Sequence, residues 1–275
     1  MNKAQKEVQQ LLLNDEKAVI QQLQKIYRKA RQDCIKRLAA LAGRTDMENI
    51  QTIGYQQKYQ TAIKKQLDDI LDALATGNYQ TISEYLTKCY EDGFVGTLYD
   101  LQGQGIPLLS PINQEQVVRA IQHETKLSTG LYTRLGEDIQ RLENSIRIEA
   151  SRGIAAGDTW GVIANRIANG MNSPFKTSIN NATRIARTEG HRIQERSAHD
   201  ASVNAKNCGA DVVKQWDATL DDRTRNSHRI LNGQIREIDE YFEVNGHRAY
   251  ILELLAWLRR ISIADAVRCD AHDGR

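Results

Sequence analysis

Apolar side chains recur every three or four positions near the start of the chain, at Val8, Leu12, Val19, Leu23, Ile26, Ala30, Cys34, Leu38 and Leu41. That spacing lines one face of a helix, and Gly43 supplies its stop. A second helix is predicted from about Asp46 through Ile63, Leu67, Ile70, Leu71 and Leu74 to Gly77, and a third over Ile82–Leu101. Two glycines and two prolines make Gly103–Pro111 the clearest break, and a domain boundary is placed there. Ser110 and Pro111 then read as an N-cap followed by the first helical residue. Leu127, Leu131, Leu135, Ile139, Leu142 and Ile146 carry the next helix. Gly157-Asp158-Thr159 ends that run and caps a short helix through Trp160, Ile163 and Ile167. Beyond the break at Gly170–Pro174, a helix over about Thr177–Ala205 has a different character. Its buried side is expected to be small, with Ala182, Ala186, Gly190, Ser197 and Ala201 letting a neighbouring backbone come close.

After Gly209 the period shortens. Val213, Trp216 and Ala218 stand among polar positions and read as a strand with one polar face. Asp221 to Arg225 form a turn or short capped helix, Asn232-Gly233 is a hairpin signal, and Ile235–Val244 supplies one or two more strands. The expected fold is mainly α with a small C-terminal α+β module: long N-terminal helices, then a helix packed on a short antiparallel sheet. The expected divisions are 1–109 and 110–170, both helical, then the module at 171–249 and an atypical tail at 250–275.

Composition narrows the function classes. Only 3 prolines in 275 residues suit long helices, and 6% aromatic residues argue against an all-β sandwich or a base-stacking sheet. Basic and acidic residues number 37 and 35, a formal net charge of +2, which excludes a wholesale basic nucleic-acid binder and an acidic disordered chain. The charge is uneven: residues 1–44 hold ten basic and four acidic side chains, residues 45–100 four and nine. Two packed helices or an external partner would both use such poles. Cys34, Cys89, Cys208 and Cys269 are too scattered for a disulfide framework or a zinc site. Neither a secretory leader nor an apolar run of about 20 residues is visible, so no membrane partner is expected.

The informative stretch is Ala186–Gly246. Ala186-Arg187-Thr188-Glu189-Gly190-His191 lies on the small-residue helix, and Trp216-Asp217-Ala218-Thr219-Leu220 follows on the strand. Asp221-Asp222-Arg223-Thr224-Arg225-Asn226-Ser227-His228 comes next, and Leu231-Asn232-Gly233-Gln234 closes the series. Helical spacing puts Arg184, Arg187 and His191 on one face, with Glu189 on another, within reach of Arg192 or Ile193. Arg225 and His228 would project together from a helical turn over 222–229. A carboxylate–guanidinium network between Glu189 and Arg223 or Arg225 would pin helix to strand and specify geometry more than stability. The bland alternative for Asp222, Arg223, Arg225 and His228 is a turn held by ion pairs and caps. The active alternative is a metal-assisted hydrolase or nuclease using Glu189, Asp222 and His228. Lys25, Arg28, Lys29, Arg31, Lys36 and Arg37 read either as a solvated helix face or as a DNA or portal contact.

The order and spacing of these blocks, over about Ile163–Arg248, resemble the phage Mu F-like head morphogenesis family, the minor head proteins of tailed phages and prophages. The resemblance implies a non-enzymatic structural protein of the virion or procapsid, present in the bacterial host cytoplasm during assembly and needing no cofactor or metal. It implies association with the portal protein at the portal vertex, and a role in head assembly or genome delivery. Scaffold or major capsid protein and packaged double-stranded DNA are further expected partners. Arg187, Thr188, Glu189, His191, Trp216, Asp221, Asp222, Arg223, Thr224, Arg225, His228 and Gly233 would be its structural or recognition cluster. The chain departs from the family after Gly246-His247-Arg248-Ala249. A proline- and glycine-rich loop and a Cys-x-Cys are expected there, but Tyr250 to Cys269 is apolar and arginine-containing with one cysteine. A shifted reading frame near codon 250 would produce such a tail.

Overall fold

A computed structural model describes residues 3–40, 53–105, 112–122, 131–170, 172–216, 218, 220, 222 and 224–249. The stop expected at Gly43, the helix start expected at Ser110-Pro111, the helical position Leu127 and the 250–275 tail lie outside the described residues. The helices are α1 (Lys3–Ala40), α2 (Ile53–Gly103), α3 (Gln114–Gln122), α4 (Leu131–Ala155), α5 (Trp160–Asn169), α6 (Pro174–Asn207) and α7 (Asn226–Leu231). The strands are β1 (Val213–Gln215), β2 (Ile235–Glu237), β3 (Phe242–Val244) and β4 (His247–Ala249). The mainly α architecture with a small C-terminal sheet region is as the residue pattern predicts.

The chain divides into two compact units. One comprises residues 1–16, 85–130 and 188–275, the other residues 17–84 and 131–187. In the second unit α1 buries Val19, Leu23, Tyr27, Ala30, Cys34 and Leu38, a stripe at spacings of four and three. The two helices expected on either side of Gly77 are one helix, α2. Its buried stripe keeps phase through the glycine, from Ile70 and Leu74 to Asn78 and Ile82. Gly77 does not end the helix. A β-carbon there would stand in ordinary contact with Ile26 of α1 at 3.4 Å, so the helix runs through a glycine that packing does not demand, at a cost of about 1 kcal/mol relative to alanine.

The α4–α5 corner follows the pattern closely. Gly157 takes φ +73°, and the Thr159 hydroxyl accepts the Val162 amide. Gly153 faces Ile163, which occupies the space a β-carbon would need. At the next corner, Ser173 donates its hydroxyl to the carbonyls of Ile167 (2.7 Å) and Ala168 (3.0 Å), fixing the start of α6.

The first unit holds the C-terminal part of α6 and all four strands. Gly190 of α6 lies against the ring of Tyr85, and Gly93 of α2 lies against Ser197, so each interface has a glycine where the other side needs room. Ser197 and Ala201 are buried here, and Ala186 in the second unit, as expected from their small size. α3 begins at an Asn113 cap, whose Oδ1 accepts the Glu115 amide at 2.9 Å.

β1 pairs antiparallel with β2, Lys214 opposite Arg236, and β3 pairs antiparallel with β4, Glu243 opposite Arg248. The parity of the first strand differs from expectation: Val212, Lys214, Trp216 and Ala218 are buried, while Val213 is half-buried. Asn232-Gly233 is not a hairpin turn, because α7 precedes it. Gly233 takes φ +81° and returns the chain from helix to β2. The hairpin turn is Asn245-Gly246, both with positive φ (52° and 75°), joining β3 to β4.

Candidate functional site

The C-terminal module is built on Trp216. Its indole meets Phe242 edge-on (5.1 Å between centroids, 75° between planes) and stacks on His228 at 5.7 Å and 29°. Ala218, Leu231, Val244 and Ala249 complete this small core. The backbone locks the same point: the Trp216 amide donates to the Gln234 carbonyl (2.9 Å), and the Gly233 amide donates to the Trp216 carbonyl (2.7 Å). The Asn232 side chain accepts the Ala218 amide at 2.8 Å. Trp216, His228 and Gly233 are thus brought together, as parts of one fold nucleus.

α7 separates two residues expected to project together. Arg225 is its N-cap, in extended backbone and exposed, whereas His228 is buried one turn later. Burial first, and then the nearby Arg225 guanidinium, hold the imidazole below the usual histidine range. Its Nδ1 is buried with no hydrogen-bond partner among the described residues. Asp222 is exposed and Thr224 half-buried; Asp221 and Arg223 lie outside the described residues.

On α6, Glu189 is 3% exposed and accepts from Arg192 Nε at 2.8 Å. The same guanidinium donates to the Ala120 carbonyl of α3 at 2.9 Å, so one arginine ties the buried carboxylate to a second helix. Arg184, Arg187, Thr188 and His191 are all exposed on α6. His191 Nδ1 lies 4.0 Å from Glu195, one turn on.

Two titratable side chains escaped the sequence reading. Lys214 is 3% exposed; its Nζ donates to the Ile238 carbonyl at 2.9 Å and lies 5.6 Å from the Phe242 ring centroid. Burial pushes its pKa down to about 8, against the opposing pull of Asp239 and Glu240. Burial, assisted by Lys214, pushes His199 down to about 4. Strand parity from Trp216 would have placed Lys214 inside; residue type alone argues the reverse. Lys206 at the end of α6 reaches Asp239 (3.0 Å) and Glu237 (3.5 Å), linking the helix end to the β2 region.

Among the described residues no group of three or more His, Cys, Asp or Glu side chains is arranged to hold a metal ion. No described helix is long and apolar enough to cross a membrane. The arrangement offers a rigid core under an exposed, mixed-charge surface.

Residues 144–250 match the family model for phage Mu protein F like protein. The chain is 30% identical over 258 residues to the NAD(+)–arginine ADP-ribosyltransferase EFV of Enterococcus faecalis, covering 90% of this chain and 50% of that protein. It is 30% identical over 182 residues to the minor head protein GP7 of Bacillus phage SPP1, covering 64% of this chain and 57% of that protein. The chain therefore spans about half the length of these curated relatives. No solved structure matches it significantly.

Proposed function

We propose, for a chain that carries the phage Mu F-like segment over residues 144–250, a role as a minor structural protein of a tailed-phage or prophage head. One observation carries the reading: the family match takes in the whole Trp216–His228 core together with the Glu189 helix, and the SPP1 relative is named a minor head protein. The module acts as a recognition head, and the long helices present extended faces to partners. Portal protein is the proposed principal partner, at the vertex where the protein serves head assembly or genome delivery. Scaffold or capsid protein and packaged DNA are secondary ones. The cluster from Arg187 to Gly233 is proposed to set the module's geometry, with the exposed Arg187, His191, Asp222 and Arg225 available to a partner.

Heads purified from the phage or prophage that encodes this chain should contain it at low copy by quantitative mass spectrometry. Heads that assemble and infect normally without it would overturn the proposal.

A second reading follows from the Enterococcus relative, whose name states an arginine-directed ADP-ribosyl transfer. That protein is twice the length of the matched region. Incubating this chain with labelled NAD and an arginine-containing acceptor separates the readings: the structural role predicts no labelled acceptor, and transfer would establish the enzyme.

A further inference from the structure

The second unit contains a cleft of about 490 Å³ between the middle of α1 and the corner that leads from α5 into α6. Its cationic wall is Arg28, Arg31 and Lys176; its less polar wall is Phe175, Ile179 and the ring of Tyr27. No carboxylate lines it. None of the three cations has an ion pair or hydrogen bond among the described residues, although Arg37, further along α1, pairs with Asp69 at 3.1 Å. The Nε of Arg31 is shielded from solvent and without a partner there, a costly condition for a guanidinium N–H.

The cleft is held in shape from behind. The Tyr27 hydroxyl is engaged by Ser178 (2.9 Å) and by the Asn78 amide (2.9 Å), so the tyrosine offers the cleft its ring. Ser178 is hydrogen-bonded in turn to the buried carboxylate of Asp138, which also accepts from Asn181 at 2.7 Å. The Ser173 hydroxyl fastens the corner to the last carbonyls of α5. The start of α6 adds little directional binding: Pro174 has no amide hydrogen, and the Lys176 and Thr177 amides already donate to the Ser173 carbonyl. The site rests on side chains.

We propose that this cleft binds a small phosphorylated ligand, its phosphate between Arg28, Arg31 and Lys176 and its less polar body against Phe175 and Ile179. A volume of this order matches ordinary small-molecule sites. Three cations lining one cleft exceed what one carboxylate offsets, whereas a phosphate ester carries about −1.5 to −2 charges and accepts several charge-assisted hydrogen bonds. The proposal is independent of the head-protein role.

Titration calorimetry on the full chain tests it with inorganic phosphate, adenosine 5′-monophosphate, adenosine and a short DNA duplex as probes. The monophosphate should bind more tightly than phosphate alone, and adenosine without its phosphate should bind far more weakly. Arg31→Gln and Lys176→Gln should each weaken the monophosphate by about tenfold, the worth of one charge-assisted contact. Lys25→Gln/Lys29→Gln, outside the cleft lining, should leave binding unchanged, and thermal melts show whether each variant is folded. Absence of phosphate and monophosphate binding, or equal weakening by the Lys25/Lys29 variant, would overturn the proposal. Binding of the duplex alone would do so too, and would assign the basic face of α1 to a polyanion.

Discussion

The Trp216 indole and the His228 imidazole lie stacked, 5.7 Å apart, across the join between β1 and α7. A strand and a helix separated by an acidic-basic bend are joined by this aromatic contact, by the backbone hydrogen bonds of Trp216 with Gly233 and Gln234, and by the Asn232 side chain on the Ala218 amide. Trp216 is 1% exposed, so its truncation removes most of a core that has few other large members. Trp216→Ala should cost about 3–5 kcal/mol. Urea unfolding followed by far-UV circular dichroism checks this, and a loss below about 1 kcal/mol would show that the module is held elsewhere.

The pH dependence of the first unit follows from His199. The native imidazole takes its proton at about 4, whereas the unfolded one takes it near 6.5. Unfolding therefore takes up a proton between these values, and stability is lost as pH falls from about 6.5 toward about 4. Asp92, pushed up to about 6 chiefly by burial, works in the opposite direction over an overlapping range. The difference between the native chain and His199→Gln isolates the histidine. The urea midpoint of the native chain should fall more steeply below pH 6.5 than that of the variant; parallel profiles would contradict the burial argument.

Lys214 acts at the other end of the scale. The native ammonium loses its proton at about 8, while in the unfolded chain it does so near 10.5. Unfolding again takes up a proton between these values, so this group's contribution rises with pH from about 8 to about 10. Above that, Tyr27, pushed up to about 12 mainly by burial, removes stability as unfolded tyrosines ionise first. Lys214→Met should abolish the alkaline rise in melting temperature, and a rise that survives the substitution would assign it to another group.

Close packing of α6 on α2 rests on Gly190, whose missing side chain is the space taken by Tyr85. Gly190→Ala should destabilise by about 1–3 kcal/mol through overpacking, despite alanine's better helix propensity. Adding Tyr85→Leu should recover part of the loss. Thermal melts of the three variants check this; a stabilised Gly190→Ala protein would mean that the helices are not in contact there.

The small-residue face of α6 was legible because Ala182, Ala186, Gly190, Ser197 and Ala201 share a helical side and little else explains them. The α5 corner was legible because Gly157 and Thr159 carry local signals that need no partner. Gly77 misled because a glycine carried through a helix by a continuous buried stripe and a glycine that ends a helix look alike until the neighbouring helix is known. Lys214 was hidden for a related reason: its burial depends on the Ile238 carbonyl and the Phe242 ring, both more than twenty residues away. Asn245-Gly246 was readable as a hairpin, but Asn232-Gly233 offered the same dipeptide first. Within the candidate cluster, helical spacing left Glu189 in reach of Arg192 or Ile193, and the structure pairs it with Arg192. It failed to separate exposed Arg225 from buried His228, since that depends on where α7 begins.

The head-protein account stands or falls on procapsid association. Procapsids assembled with and without portal protein, mixed with this chain and separated on a density gradient, give the most direct test. The account predicts that the chain travels with the portal-containing particles and stays at the top of the gradient with the portal-free ones. Equal retention by both, or by neither, would contradict it.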